Sequence, residues 1–376
     1  MPQPRISIGM TIPPTPPLGS LKQIVWVSRL LRLDSLVVWD HLQDVFPSAL
    51  WEPNFTWLAK ERPSPHEFYD YQTVLGYLAS RVGRVQTGVA VTEPIRRHPL
   101  LIAQAMATLA HLTKRPPILG IGAGERENIV PYGLDISQAV GKLEEALQII
   151  RLCFEKRGPI TFQGKHFRID GAPMDLRPPK GRTPEIWVGA HGPRMLRLCG
   201  AYGDAWFPLG MFTPDEYATK LDVVHAAARE AARDPNAILP AIQSYVVVAP
   251  TREDARAMLD TNVIRYFGVL APAELWRKVG HTHPWGDDFR GITDILPEQH
   301  TREELDAAIA KVPTELAGQG LLWGTPEEVA AQIRAYGDVG LRHAVLQIAS
   351  AAISRKAALY SVRALRTIAK ELHSTR

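Results

Sequence analysis

Short β-rich runs alternate with longer helical patterns along almost the whole of this chain, and that alternation restricts the fold more than any other feature. The runs are ISIGMTI (6–12), SLVVWD (35–40), VQTGVAVT (85–92), ILGIG (118–122), EIWVGA (185–190), AWFPL (205–209), SYVVVA (244–249) and HAVLQI (343–348). In most of them apolar residues occupy both alternating faces, as in parallel strands covered by helices or lining a filled barrel. Helical periodicity spans 18–33, 68–81, 99–112, 138–154, 193–201, 214–232, 252–266, 326–337 and 355–372. Thr213-Pro-Asp-Glu216, Thr301-Arg-Glu-Glu304 and Thr325-Pro-Glu-Glu328 read as capping boxes, in which a hydroxyl and a carboxylate satisfy orphan N–H groups reciprocally. Pro99, Pro193, Pro214 and Pro326 suit first helical positions, where the missing N–H costs nothing.

Eight such units predict an α/β chain folded as one (β/α)8 TIM barrel. The competing doubly wound sheet lacks its dinucleotide fingerprint, because Gly120-Ile-Gly122-Ala-Gly124-Glu125 breaks the required spacing. The 376 residues could hold one large domain or two. No Gly/Ser linker or composition shift divides them, so a single domain over 1–376 is expected. Insertions at about 43–67, 157–184 and 270–322 belong at the C-terminal face, where long loops carry function.

A net charge of +4 with 22% charged residues and no like-charge block argues against disorder and against a nucleic-acid binder, while suiting an anionic ligand. No apolar window reaches the length of a membrane-spanning helix, and prolines from Pro13 interrupt the first apolar run before it could serve for secretion. Two isolated cysteines, Cys153 and Cys199, give no disulfide framework, so a cytoplasmic protein is expected.

Three strand ends carry candidate chemistry. Asp40-His41 end the second run, where a carboxylate beside an imidazole could bind or protonate an electron-rich group; a surface histidine opening a loop is the plain alternative. Gly120 to Asn128 follow the fourth, with Gly122 and Gly124 permitting close approach of a planar ligand and Glu125 placed as a proton donor; a glycine turn before helix-initiating acids reads equally well. Gly189-Ala190-His191-Gly192-Pro193-Arg194 follow the fifth and offer N–H groups at a helix start, the recipe for a phosphate site or simply a tight turn. His281-Thr-His283 could ligate zinc, but it lies among Pro272, Pro284 and Gly286 without a matching ligand set, so no metal is assigned.

VVWDH (37–41), TGVAVTEPIRRHPLLIAQAMATLAHLT (87–113), LGIGAGERENIVPYG (119–133), EIWVGAHGPRML (185–196) and GTPEEVAAQIRAYGDVGLRHAVLQI (324–348) resemble the bacterial luciferase-like superfamily, nearly end to end. Within it the chain is most similar to the coenzyme F420-dependent branch. ERENIVPYG (125–133), AHGPRMLR (190–197) and HPWGDDFRGITDILPE (283–298) look like its mycobacterial phthiodiolone ketoreductases. The resemblance implies a homodimeric barrel that binds reduced or oxidised deazaflavin, with Asp40 and His41 near ring and substrate and Glu125 as proton-transfer candidate. It also implies a bulge with a cis peptide at Ala90-Val91 under the ring, and a phosphate cradle at Gly189 to Arg194. Two departures bear on the substrate: Pro208 to Phe212 lack the sugar-phosphate lysines of the glucose-6-phosphate branch, and Thr11 stands near that branch's strand-one acid. Phe46, Trp51, Trp57, Met211 and Phe212 suggest an apolar mouth for a hydrophobic or lipid-like carbonyl. The expected reaction is ketone reduction by F420. A reduced-FMN monooxygenase, a metal-dependent barrel hydrolase and a non-catalytic cofactor-binding protein are the alternatives.

Overall fold

The computed structural model describes residues 5–374. Eight parallel strands form a closed ring: β1 (Ser7–Ile12), β2 (Ser35–Val38), β3 (Gln86–Thr92), β4 (Ile118–Ile121), β5 (Glu185–Val188), β6 (Ala205–Trp206), β7 (Leu239–Val248) and β8 (His343–Ile348). Each pairs with its sequence neighbours, and β8 pairs with β1, which closes the barrel. Every expected run is a strand of this ring. The sixth is regular only over two residues; beyond it, Gln243 N–H donates to the Pro208 carbonyl and Gly210 N–H to the Gln243 carbonyl, so the pairing with β7 continues irregularly.

Two-sided burial explains the Val/Ile-rich strands. Outward side chains meet the surrounding helices in one extended core, while Val37, Ala90, Ile118, Trp187, Ala205, Phe207, Ala241 and Val345 fill the interior. The lower barrel carries a polar contact as well: Ser35 Oγ and His343 Nε2 lie 2.9 Å apart. Gly9 backs onto this pair so closely that a Cβ there would fall 1.9 Å from Ser35 Oγ.

The capping boxes at Thr213, Thr301 and Thr325 are formed, each with both reciprocal hydrogen bonds, and Pro99, Pro193, Pro214 and Pro326 occupy first turns. One expected helix is two. The 252–266 pattern divides into Arg252–Leu259 and Asn262–Val269, because Thr261 turns extended and its hydroxyl donates to the Met258 carbonyl.

The long insertions behave differently from one another. Segments 43–67 and 270–322 pack with helix Asn262–Val269 into a separate apolar cluster that includes Leu50, Phe55, Tyr266, Trp276 and Ile295. Segment 157–184 carries the expected hairpin, Ile160–Gln163 with Arg168–Ala172, but it lines no cavity described below. The Glu145 carboxylate of helix Ala139–Glu155 accepts the N–H groups of Lys165, His166 and Phe167 (2.6, 2.9 and 2.9 Å), which fastens the hairpin turn to the barrel's flank.

Candidate active site

A cavity opens at the C-terminal ends of the strands and takes residues from, or just after, every barrel strand except β1. Trp39, Asp40 and His41 come from the end of β2, Ala90 to Glu93 from β3, Gly122 to Glu125 from β4, Gly189 and His191 from β5, Phe207 and Leu209 from β6, Gln243 and Tyr245 from β7, and Gln347 from β8. Val45, Phe46, Ile292 and Thr293 from the inserted segments, and Phe267 from helix Asn262–Val269, add to the wall.

His41 and Glu125, from different strand ends, face one another with Nε2 and Oε2 3.4 Å apart. The tautomer follows from the other ring nitrogen. Nδ1 lies 3.2 Å from the Gln43 carbonyl, which can only accept, so Nδ1 carries hydrogen and Nε2 is the site that shares a proton with Glu125. Trp39 and Phe68 flank the imidazole at ring distances of 5.3 and 5.7 Å and limit its rotation.

The loop after β2 is stitched to the turn after β4 by one residue. Asn128 Oδ1, buried, accepts the backbone N–H groups of Leu42 (2.6 Å) and Gln43 (3.1 Å), and its Nδ2 donates to Glu127 Oε1 (3.2 Å). Gln43 Nε2 donates in turn to the Glu127 carbonyl. These bonds set the spacing between His41 and Glu125. Neither Asn128 nor the wholly buried Glu127 stands out in the sequence, where both pass as the polar start of a helix after a glycine turn.

Asp40 belongs to a different network. Arg97 Nη1 donates to both its carboxylate oxygens (2.9 and 2.8 Å), Thr92 Oγ1 donates to Oδ2 (2.6 Å), and Arg96 Nη2 lies 3.1 Å away. Arg97 also reaches Asp70, which caps helix Tyr71–Ala79. With its oxygens so occupied, Asp40 acts on the site by fixing the end of β2 and the two arginines. Arg96 is 7% exposed and pairs with Glu93, yet its Nη1 is buried without a partner in a side chain that lines the cavity.

The floor is backbone. The Ala90–Val91 peptide is cis, and the register of β3 against β4 shifts between Val89 and Thr92. β4 can follow this shift only because position 120 is glycine: a Cβ there would sit 2.6 Å from the Val89 carbonyl. Gly124 takes φ +95, which turns the chain to present Glu125. At Gly122 and Gly189 the contacts of a Cβ would be ordinary, 3.4 Å or more, so these glycines keep the floor flat for a reason other than crowding. A planar ring fits such a floor, with the Arg96 donor free for a ring carbonyl.

Around Gly189 a second, outer cavity continues from the first, sharing Ala123, Gly124, Gly189, His191, Leu209, Ile292 and Thr293. Gly192 caps helix Pro193–Tyr202 and lines this outer space with Arg126, Arg194 and Lys220. The three side chains from this turn are placed differently. Ala190 is fully buried, its carbonyl accepting the Trp206 indole N–H (2.9 Å), so its side chain lines neither cavity. His191 Nε2 accepts the Leu209 N–H (3.2 Å), which makes the ring a brace for the β6 loop. Arg194 pairs with Glu144 at 2.8 Å; both are exposed, so the pair is weak enough to exchange for an anion.

The apolar mouth is also differently composed. Phe46 lines the inner cavity and Met211 and Phe212 the outer, but Trp51 and Trp57 hold the 43–67 loop by donating to the carbonyls of Arg62 (2.9 Å) and Ala351 (2.8 Å). Tyr245, Phe267 and Phe207 take their place; in the sequence Tyr245 and Phe207 read only as strand residues and Phe267 falls just beyond the helical pattern that ends at 266. His283 is buried with both nitrogens engaged, Nε2 by the Val269 carbonyl and Nδ1 by the Trp285 N–H, each at 3.0 Å, so the His281-Thr-His283 pair cannot ligate a metal as folded.

A flat peptide floor beside the His41–Glu125 pair, with a charged chamber leading outward, is an arrangement for redox chemistry on a planar ring, and the class it defines is the barrel oxidoreductases. Residues 54–343 match the family described as luciferase-like monooxygenase, and the chain belongs to that family. It is 38% identical over 373 residues to a phthiodiolone/phenolphthiodiolone dimycocerosates ketoreductase of Mycobacterium sp. (strain JLS), covering 98% of each chain. It is 30% identical over 296 residues to an F420-dependent glucose-6-phosphate dehydrogenase of Nakamurella multipartita, covering 77% of this chain and 80% of that one. Its fold is shared with an F420-dependent secondary alcohol dehydrogenase solved with an F420-acetone adduct, at TM-score 0.76 and 19% identity over 99% of this chain and 100% of the other. No helix among the described residues is long and apolar enough to cross a membrane.

Proposed function

We propose that this chain is a coenzyme F420-dependent ketoreductase, transferring hydride between deazaflavin and a hydrophobic, lipid-like ketone. The observation that carries the reading is the His41–Glu125 pair at 3.4 Å beside the floor made by Ala90–Val91, Gly122 and Gly189, in a cavity walled by Trp39, Phe46, Phe207 and Phe267. The names and coverage of the ketoreductase and F420-dependent relatives support the cofactor and the reaction class.

Reduced deazaflavin supplies the hydride when bound. The chain's own groups orient and protonate. The floor and the Arg96 Nη1 donor would hold the ring, and the outer chamber with Gly192, Arg126, Arg194 and Lys220 would receive the cofactor's phosphate and acidic tail. Aromatic walls exclude water and hold the ketone in attack geometry. The proton shared by His41 Nε2 and Glu125 Oε2 passes to the carbonyl oxygen as negative charge develops there. Asp40 keeps β2 and the arginines in register. Segments 43–67 and 270–322 belong to the same single domain, since together they wall this cavity, and the exposed Leu101 and Leu112 of helix Pro99–Leu112 suit burial in a homodimer.

The test is anaerobic single turnover with reduced F420 and a panel of aliphatic ketones. His41→Ala and Glu125→Gln should each slow reduction by about 10²–10⁴-fold while leaving cofactor binding within a few fold. Full rates in both variants would remove the assignment. Tight binding of FMN with no deazaflavin binding would favour the monooxygenase chemistry instead.

A further inference from the structure

Glu127 is wholly buried behind the cavity wall, and the proton transfer just described leaves it unused. Its Oε1 accepts from Asn128 Nδ2 at 3.2 Å, whereas its Oε2 is buried with no donor directed at it. One ligand atom each of His41, Glu125 and Glu127 lies within 4.8 Å of the others, which brings the two carboxyl groups side by side. Two ionised carboxylates this close offer each other only acceptors and repel, and a proton on one of them would relieve both. A charge on Glu127 would also raise the phenols of Tyr132, Tyr245 and Tyr266, the last two of which feel Asp44 as well.

We infer that Glu127 is a neutral carboxylic acid whose O–H donates to Glu125, a positioning residue that steadies the carboxylate left on Glu125 once the shared proton has gone to the ketone. Burial first, and the neighbouring Glu125 charge second, raise the Glu127 carboxyl well above the usual carboxylate range, which agrees with this geometry. The proton inventory closes: the proton shared by His41 and Glu125 forms the O–H bond of the alcohol, hydride and its electron pair come from the reduced cofactor, and Glu127 keeps its own proton throughout. Without that donor, proton release would leave a bare carboxylate against a buried, unpaired oxygen. A neutral neighbour also avoids two adjacent charges in one apolar pocket, the circumstance that forces coupled carboxyls to share protons elsewhere.

The role in catalysis rests on the ketoreductase reading, but the state of Glu127 does not, and infrared difference spectroscopy on the full-length, cofactor-free protein separates the two. At neutral pH, wild type minus Glu127→Gln should show the carbonyl band of a protonated carboxylic acid. The Glu125 carboxylate band, assigned with Glu125→Gln, is then titrated. Glu127→Gln keeps a neutral donor and should leave its midpoint in place, while Glu127→Leu should raise it by about one pH unit. In single turnover the same order is expected, with Glu127→Gln near wild type and Glu127→Leu slower by about tenfold. Absence of the acid band, or a midpoint that Glu127→Gln moves as far as Glu127→Leu, overturns the inference. So does a stoichiometric divalent cation that the wild type retains and Glu127→Gln loses, since a cation requires both carboxylates ionised. A protein that shows the band and the midpoint shift yet never oxidises reduced F420 would instead contradict the proposed function.

Discussion

Replacing Asn128 by alanine probes how the site is held together. The side chain meets two backbone donors, Leu42 N–H and Gln43 N–H, and one carboxyl oxygen of Glu127; Gln43 and Glu127 are buried, whereas the Leu42 bond is only part-buried. Each buried group left without a partner costs about 1–3 kcal/mol, so leaving these two backbone donors without the Asn128 acceptor should destabilise the fold by about 2–4 kcal/mol. For a chain of this size that corresponds to a fall of roughly 3–5 °C in Tm. The effect on activity comes through His41. Its Nδ1 leans on the Gln43 carbonyl, so a freed 42–43 loop lets the imidazole drift from Glu125, and a displacement of about 1 Å is worth roughly 10² in rate. Denaturant unfolding gives the first quantity; anaerobic single turnover below the midpoint gives the second. Asn128→Asp supplies the control, because it preserves both acceptor bonds but sets a third carboxyl against Glu127. It should recover most of the stability while staying slow. If Asn128→Ala unfolded within about 0.5 kcal/mol of wild type and turned over at full rate, the stitching of β2 to β4 through this residue would be wrong.

Other outcomes follow from the same geometry. Asp40→Ala leaves Arg96 and Arg97 without their shared carboxylate in a buried site and should cost about 3–5 kcal/mol, measured by urea unfolding. Gly122→Val and Gly189→Leu place side chains where a Cβ meets only ordinary contacts, so Tm should hold while deazaflavin affinity, read by spectral titration, falls by at least about 100-fold. Burial pushes the His343 imidazole down to about 4, below the 6.5 of a free histidine. The unfolded chain therefore binds the extra proton between these values, and stability should decline as pH falls through that window by up to about 3 kcal/mol. Unfolding at pH 7 and pH 5 should show this decline in wild type and a smaller one in His343→Gln.

The barrel was legible because its physics is local: two-sided apolar strands, punctuated by capped helices, state the architecture one unit at a time. Asp40, His41, Glu125 and the glycines were legible for a related reason, since strand ends are where a barrel exposes chemistry. What the sequence could not show was pairing across units. Asp40 reads as a partner for His41 and is instead taken by Arg96 and Arg97, which arrive from the loop after β3. Glu127 and Asn128 read as helix-start polars and become the link to β2. Trp51 and Trp57 have the composition of a pocket mouth, but their indole N–H groups found carbonyls within the protein, and that decided where they point. In each case the deciding contact joins residues far apart in the chain, which spacing and periodicity do not encode.

The central claim is that this pocket passes hydride directly between the deazaflavin ring and a ketone held against it. Anaerobic single turnover with reduced F420 carrying deuterium at C5 and an aliphatic ketone measures that transfer. Deuterium should appear at the carbinol carbon of the product, with a primary isotope effect on cofactor oxidation. Oxidation of the cofactor with no deuterium in the alcohol, or reduction that proceeds only when oxygen is admitted, would contradict it.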